Sequence, residues 1–68
     1  MKIRCGDMYI VPLDHPSGLY AWSIYRVWWK PWRYNLRFYY LTNEKVHRNL
    51  SLDGLKGVLK LCELWKEN

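Results

Sequence analysis

The chain has 68 residues, a formal net charge of +5, and aromatic side chains at 18% of its positions. This length allows one small domain and leaves no room for a second core. Two cysteines are too few for a disulfide scaffold, and no apolar run approaches the roughly 20 residues that span a bilayer. Because no apolar run follows the first four residues, we predict no signal peptide and expect a reducing cytoplasm.

The first predicted element is a short strand followed by a turn. Met8-Tyr9-Ile10-Val11 is a β-prone run that ends at Pro12, which has no N–H to donate to a sheet. Asp14 to Gly18 contains aspartate, proline, serine and glycine, which dominate turns. Leu19 to Lys30 is the longest predicted strand, rich in Tyr, Trp, Ile and Val. Both of its faces are half apolar, so the periodicity does not show which face is buried.

A tight reversal is predicted where this strand ends. In Lys30-Pro31-Trp32-Arg33, the fixed φ of Pro31 suits the second position of a type I turn. Tyr34 to Thr42 is the predicted return strand. Alternation along it places Leu36, Phe38 and Tyr40 on one face and Arg37, Tyr39 and Leu41 on the other. The sequence therefore predicts a β-hairpin with Trp32 and Arg33 near its tip.

The C-terminal part of the chain changes to helical periodicity. Asn43 to Asn49 is polar and is predicted to be a loop or a ragged strand end. From Ser51 to Lys66, apolar residues recur at spacings of three and four, and Ser51 is a suitable N-cap. Leu61 and Leu64 lie outside the main apolar stripe, so we expect them to form a second apolar patch that could face a partner.

These elements predict an α+β fold, with a small three-stranded antiparallel sheet in β-β-β-α order packed against one C-terminal helix. The element order from about Met8 to Trp65 is similar to that of the arm-binding domains of tyrosine recombinases and of AP2-type DNA-binding domains. The sheets of those domains insert into the major groove, so the resemblance implies a sheet that contacts DNA. It covers the order of elements and no sequence motif.

The positive charge is concentrated between Tyr20 and Arg48. This segment holds six Lys and Arg residues against one Glu, six minus one or +5, and ten of the twelve aromatic residues. Aromatic rings interleaved with arginine can stack on bases and neutralise phosphates. The predicted contact residues are Arg26, Trp29, Lys30, Trp32, Arg33, Arg37 and Tyr39. We therefore expect a non-catalytic binding module whose hairpin contacts DNA or RNA.

Enzyme and metal chemistry have little support in the sequence. Asp14 and His15 are adjacent and His47 is isolated, with no nucleophile at motif spacing and no glycine-rich phosphate loop. Cys5 and Cys62, taken with the two histidines, do not have the paired spacing of zinc ligands. We expect no catalytic residue, metal, cofactor or small-molecule substrate. Two free thiols and a single Cys5–Cys62 disulfide both stay open.

A protein partner is the alternative interpretation of the same residues. Trp, Tyr and Arg are enriched at interface hot spots. In style, the chain is similar to the small inhibitors that phages encode against host machinery, including anti-CRISPR proteins, which implies a host protein that handles nucleic acid as the partner. The run from Trp28 to Arg33 is also similar to the cores of some antimicrobial peptides, which makes a membrane surface the third and weakest alternative. The sequence is compatible with a homo-oligomer.

Overall fold

A computed structural model describes residues 3–66 of the chain. Its elements, in chain order, are β1 (Met8–Ile10), β2 (Leu19–Val27), β3 (Lys30–Tyr40), β4 (Glu44–Leu50) and α1 (Leu52–Leu61). The four strands form one antiparallel sheet in the order β1-β2-β3-β4, and α1 packs against one of its faces. The predicted α+β class, with an antiparallel sheet followed by a packed C-terminal helix, is confirmed.

The sheet has four strands, and the prediction of three is wrong. Asn43 to Asn49, predicted as a loop or a ragged strand end, lies almost entirely in β4. Within this strand, Val46 pairs with Arg37 and Lys45 pairs with Phe38. No β4 side chain is fully buried. Backbone pairing with β3 therefore holds β4 in the sheet, and the polar sequence does not reveal that pairing.

The β2–β3 turn lies earlier in the chain than predicted. Val27 pairs with Lys30, so Trp28 and Trp29 form the turn, and the predicted reversal at residues 30–33 is wrong. Trp32 and Arg33 lie beside the turn, in β3. Because Arg26 already pairs with Tyr34, the residues 31–33 are extra on the β3 side. Proline is tolerated at such a bulge, because no ladder partner needs its missing N–H. The predicted hairpin itself is confirmed.

A register shift near Tyr20 explains the irregular alternation along β2. Leu19 pairs with Tyr40 and Ala21 pairs with Tyr39, so Tyr20 is an extra residue on the β2 side. The shift lets Leu19 point into the core on the same side as Trp22, although the two positions differ in parity. β2 is also the second of four strands and has neighbours on both sides. Its apolar residues on both parities follow from this central position.

The hydrophobic core lies between α1 and one face of the sheet. The side chains that fill it are Val11, Leu19, Trp22, Ile24, Leu36, Phe38, Leu55, Leu59 and Leu64. Burial of such side chains from water is the main driving force for folding. The predicted apolar side of β3 is confirmed, since Leu36 and Phe38 are buried and Tyr40 packs against the core. None of the elements within residues 3–66 covers the opposite side of the sheet, which we call the open face.

The helix begins as predicted, at Ser51, whose Oγ accepts a hydrogen bond of 3.1 Å from the Gly54 N–H. It ends at Leu61, before its predicted end. Glu63 has a left-handed φ of 58°, and Leu64 N–H donates to the carbonyl of Leu59 at 2.8 Å. A second bond of 3.1 Å, from Glu63 N–H to the Lys60 carbonyl, completes a Schellman motif.

This helix end turns Leu64 into the core and leaves Leu61 exposed. The predicted apolar patch of Leu61 and Leu64 is therefore wrong, because the left-handed residue between them places the two side chains in different environments. Across residues 3–66, no helix is long and apolar enough to cross a membrane.

Candidate nucleic-acid interface

The centre of the open face combines tyrosine rings with an arginine. Tyr25 lies on β2, and Arg37 and Tyr39 lie on the neighbouring β3. The Arg37 Cζ atom is 5.9 Å from the centroid of the Tyr25 ring. The Tyr20 and Tyr39 rings are 6.1 Å apart, tilted by 43°. Tyr20 and Tyr25 retain 39% and 41% exposure, so part of each ring can contact a ligand.

Tyr39 is held by small and charged neighbours. Its hydroxyl is 3.4 Å from the Oγ of Ser23, a buried residue of β2. The Ser23 hydroxyl lowers the pKa of Tyr39 most, and Arg37 and Tyr25 lower it further, because these groups favour the phenolate. In return, the Tyr39 phenol is the largest contribution that raises the pKa of Arg37, with Glu44 adding to it. Arg37 therefore keeps its positive charge throughout the working pH range.

Tyr39 is expected to ionise below the usual tyrosine pKa of about 10, because the Ser23 hydroxyl and Arg37 favour its phenolate. An ultraviolet absorbance titration should show one tyrosine with an early transition. Tyr39→Phe should remove that transition, and Ser23→Ala should move it to higher pH. Above this pKa the phenolate adds a negative charge beside Arg37, so affinity for an anionic ligand should fall as the pH rises through it. A Tyr39→Phe protein that keeps the early transition would contradict the assignment.

A carboxylate, that of Glu44, borders this cluster. The Glu44 Oε2 atom is 4.0 Å from the Arg37 Nε atom, and the two side chains are 57% and 42% exposed. A pair this long and this exposed contributes little to stability and is weakened further by salt. The Nε atom itself is buried and has no hydrogen-bond partner within the described part of the chain. Arg37 is thus weakly committed to Glu44 and can engage a ligand.

The second feature is the β2–β3 hairpin tip. Trp28, Trp29 and Trp32 are 85%, 61% and 65% exposed, and we call these three residues the tryptophan tip. The Trp28 and Trp29 rings meet edge to face with centroids 5.3 Å apart. Large aromatic side chains are costly to expose to water, and clustered exposure of this kind marks an interaction site.

The structure divides the predicted contact residues into groups. Arg37 and Tyr39 lie at the centre of the open face, and Trp29, Lys30 and Trp32 lie at or beside the hairpin tip. Arg33 points toward β4, where its Nη1 donates to the Asn49 carbonyl at 3.4 Å.

Arg26 lies apart from both groups, on the helix side of the sheet. Its Cζ atom is 5.4 Å from the ring centroid of Tyr34, a residue that packs against the core. Its Nη1 donates to the Pro31 carbonyl at 2.6 Å, which ties it to the bulge in β3. The structure therefore gives Arg26 a place in the hairpin framework, away from the open face.

Tyr20, Tyr25 and Arg48 also lie on the open face and were not in the set of predicted contacts. Arg48 joins Tyr25, Asn35, Arg37 and Val46 around a shallow depression of about 280 Å³. Because the β4 segment was predicted as a loop or a ragged strand end, Arg48 had no face assigned to it. The alternation of Glu44, Val46 and Arg48 with Lys45 and His47 was the available signal for a strand face.

Both cysteines are free thiols, Cys5 exposed and Cys62 partly buried. Within residues 3–66, no group of three His, Cys, Asp or Glu side chains is placed to hold a metal ion. No protein-family model, curated protein or solved structure matches this chain. The open face and the tryptophan tip are therefore the features from which a function can be inferred.

Proposed function

We propose that the protein is a non-catalytic module that binds single-stranded nucleic acid across its open face. The observation that carries this proposal is the placement of Arg37 beside Tyr25 and Tyr39 on a sheet face that the helix leaves uncovered. Each base that stacks on an aromatic side chain contributes roughly 1–3 kcal/mol, and any base has a ring face to offer. A partly exposed tyrosine ring can stack on a base, and the positive charge of Arg37 beside it can neutralise the phosphate of that nucleotide.

The charge of the open face supports an anionic ligand. Arg37 and Arg48 lie together on the open face, and Glu44 is a carboxylate near Arg37. Basic residues that neutralise phosphates release condensed counterions, which supplies much of the affinity for nucleic acid. The tyrosine rings then favour a single strand over a duplex, because the bases of a duplex are already stacked on one another.

The proposal is tested by titrating the protein into labelled single-stranded and double-stranded oligonucleotides of the same sequence, followed by fluorescence anisotropy. The single strand should bind more tightly, and its affinity should fall steeply as salt rises from about 50 to 200 mM. Absence of single-strand binding even at low salt would rule out the proposed function. Equal binding of the two forms would assign the affinity to charge alone and remove the stacking role of the tyrosines.

The tryptophan tip favours a second candidate function, a phage-type inhibitor that binds a host protein, in particular one that handles nucleic acid. Tryptophan is one of the residue types that dominate interface hot spots, and three exposed Trp side chains lie together here. If this function is correct, a tagged protein should capture a specific partner from host lysate. Trp32→Ala should lose the partner while its circular dichroism spectrum stays that of the folded protein.

A further inference from the structure

We infer that the depression lined by Tyr25, Asn35, Arg37, Val46 and Arg48 is a guanine-binding site on the open face. This inference rests on the proposed single-strand binding and adds to it a base preference. Residues from three adjacent strands form the depression, namely β2, β3 and β4. Its volume of about 280 Å³ and its shallow shape leave room for a planar base lying against the sheet.

The hydrogen-bonding groups around this depression are mainly donors. Arg37 and Arg48 each present a guanidinium, which has five N–H donors and no acceptor. Asn35 has one acceptor, its Oδ1 atom, and this atom already accepts the Asn49 backbone N–H at 3.1 Å. A backbone N–H can donate only to the carbonyl end of that amide, so the Asn35 NH₂ group is free to donate to a ligand, and Oδ1 keeps one lone pair. The depression therefore matches a ligand edge that is rich in acceptors.

Guanine meets this requirement better than the other bases. Its N7 and O6 atoms are two adjacent acceptors, which an arginine can engage in a bidentate contact. Adenine places an amino donor beside N7, which would lie against the donors of the site. Cytosine in a single strand presents two adjacent acceptors, O2 and N3, but its single ring offers less area than a purine to stack on Tyr25. Thymine and uracil offer the O4 acceptor without an adjacent second one. Tyr25 supplies a partly exposed ring beside the same depression.

The neighbouring surface gives the rest of the strand a path. Asn35 and Arg48 also line a second depression of about 260 Å³, which continues to Val27, Trp29 and Lys30 near the hairpin tip. Two adjoining depressions with shared walls suit consecutive nucleotides of one strand. The guanine would occupy the depression at Arg37, and the next nucleotide would lie toward Trp29.

The test uses thymine oligonucleotides of about twelve nucleotides, within the length that a small single-strand-binding domain covers. The central position carries guanine, hypoxanthine, 7-deazaguanine, adenine, cytosine or thymine. Guanine and hypoxanthine, which both keep N7 and O6, should bind roughly 5- to 150-fold more tightly than adenine, the range that a bidentate contact provides, and also more tightly than cytosine. 7-Deazaguanine replaces the N7 acceptor with a C–H group and should lose most of that advantage.

Matched variants locate the preference in the protein. Arg37→Lys and Arg48→Lys keep the positive charge but lack the planar fork needed for two parallel hydrogen bonds. At least one of them should bind the guanine oligonucleotide no better than the adenine one, and this ratio of the two affinities within each variant is the readout. Equal wild-type affinity for guanine, 7-deazaguanine and adenine would overturn the guanine site and leave single-strand binding intact. Failure of every oligonucleotide to bind would overturn the proposed function together with this inference.

Discussion

Trp22→Ala is expected to unfold the protein, whereas Trp32→Ala is expected to leave it folded. Trp22 is 2% exposed and lies in the core, and its ring stacks on Tyr9 with centroids 4.3 Å apart. Truncation of a buried tryptophan to alanine costs about 3–5 kcal/mol. A core of this size rarely supplies more than about 3–5 kcal/mol in total, so the loss is of the same size as the whole stability.

Trp32→Ala is the matched control, because it makes the same chemical change at an exposed position. Its side chain is 65% exposed at the bulge in β3 and does not belong to the core cluster, so its loss should change stability by only about 0.5 kcal/mol. Thermal unfolding monitored by circular dichroism compares the two variants directly. A Trp22→Ala protein that melts at the wild-type temperature would contradict the assigned core. A Trp32→Ala protein that unfolds would place Trp32 in the core and exclude it as a contact residue.

The second large effect concerns binding. Arg37→Ala is expected to weaken single-strand affinity by about 1–3 kcal/mol, roughly 5- to 150-fold, because it removes both the cation and its base contact from the centre of the open face. Little stability should be lost with it, since the Arg37–Glu44 pair is 4.0 Å long and exposed. Anisotropy titration at a fixed salt concentration, with a thermal melt of the same sample, separates binding from folding.

Arg4→Ala provides the control for charge. Arg4 lies on the helix side of the sheet, beside Tyr34 and Leu55. Its replacement removes one positive charge from the side opposite the open face. Its effect on affinity should be much smaller than that of Arg37→Ala. Glu44→Gln should act in the opposite direction and tighten binding, because it removes the carboxylate near Arg37. Equal losses for Arg4→Ala and Arg37→Ala would show that net charge, and not the open face, determines binding.

The sequence by itself determined the class of the fold and several of the residues whose side chains could contact a ligand. Helical spacing of leucines after Ser51 and β-prone runs before it were sufficient for an antiparallel sheet with one helix, because these periods follow from local backbone geometry. Alternation placed Arg37 and Tyr39 on the face opposite Phe38, where the structure has them. Local signals such as the Ser51 cap were equally dependable, since their partners are only a few residues away.

Tertiary structure decided the parts that depend on pairing between distant residues. A polar strand such as β4 is held by backbone hydrogen bonds to β3, which leave little trace in its composition. The turn position depended on a bulge that shifts register, and proline suited the bulge as well as it suited a turn. These two features brought Arg48 beside Arg37 and placed Trp28 at the tip. The candidate site therefore depends on the register in which neighbouring strands pair, and no single strand of this chain determines that register on its own.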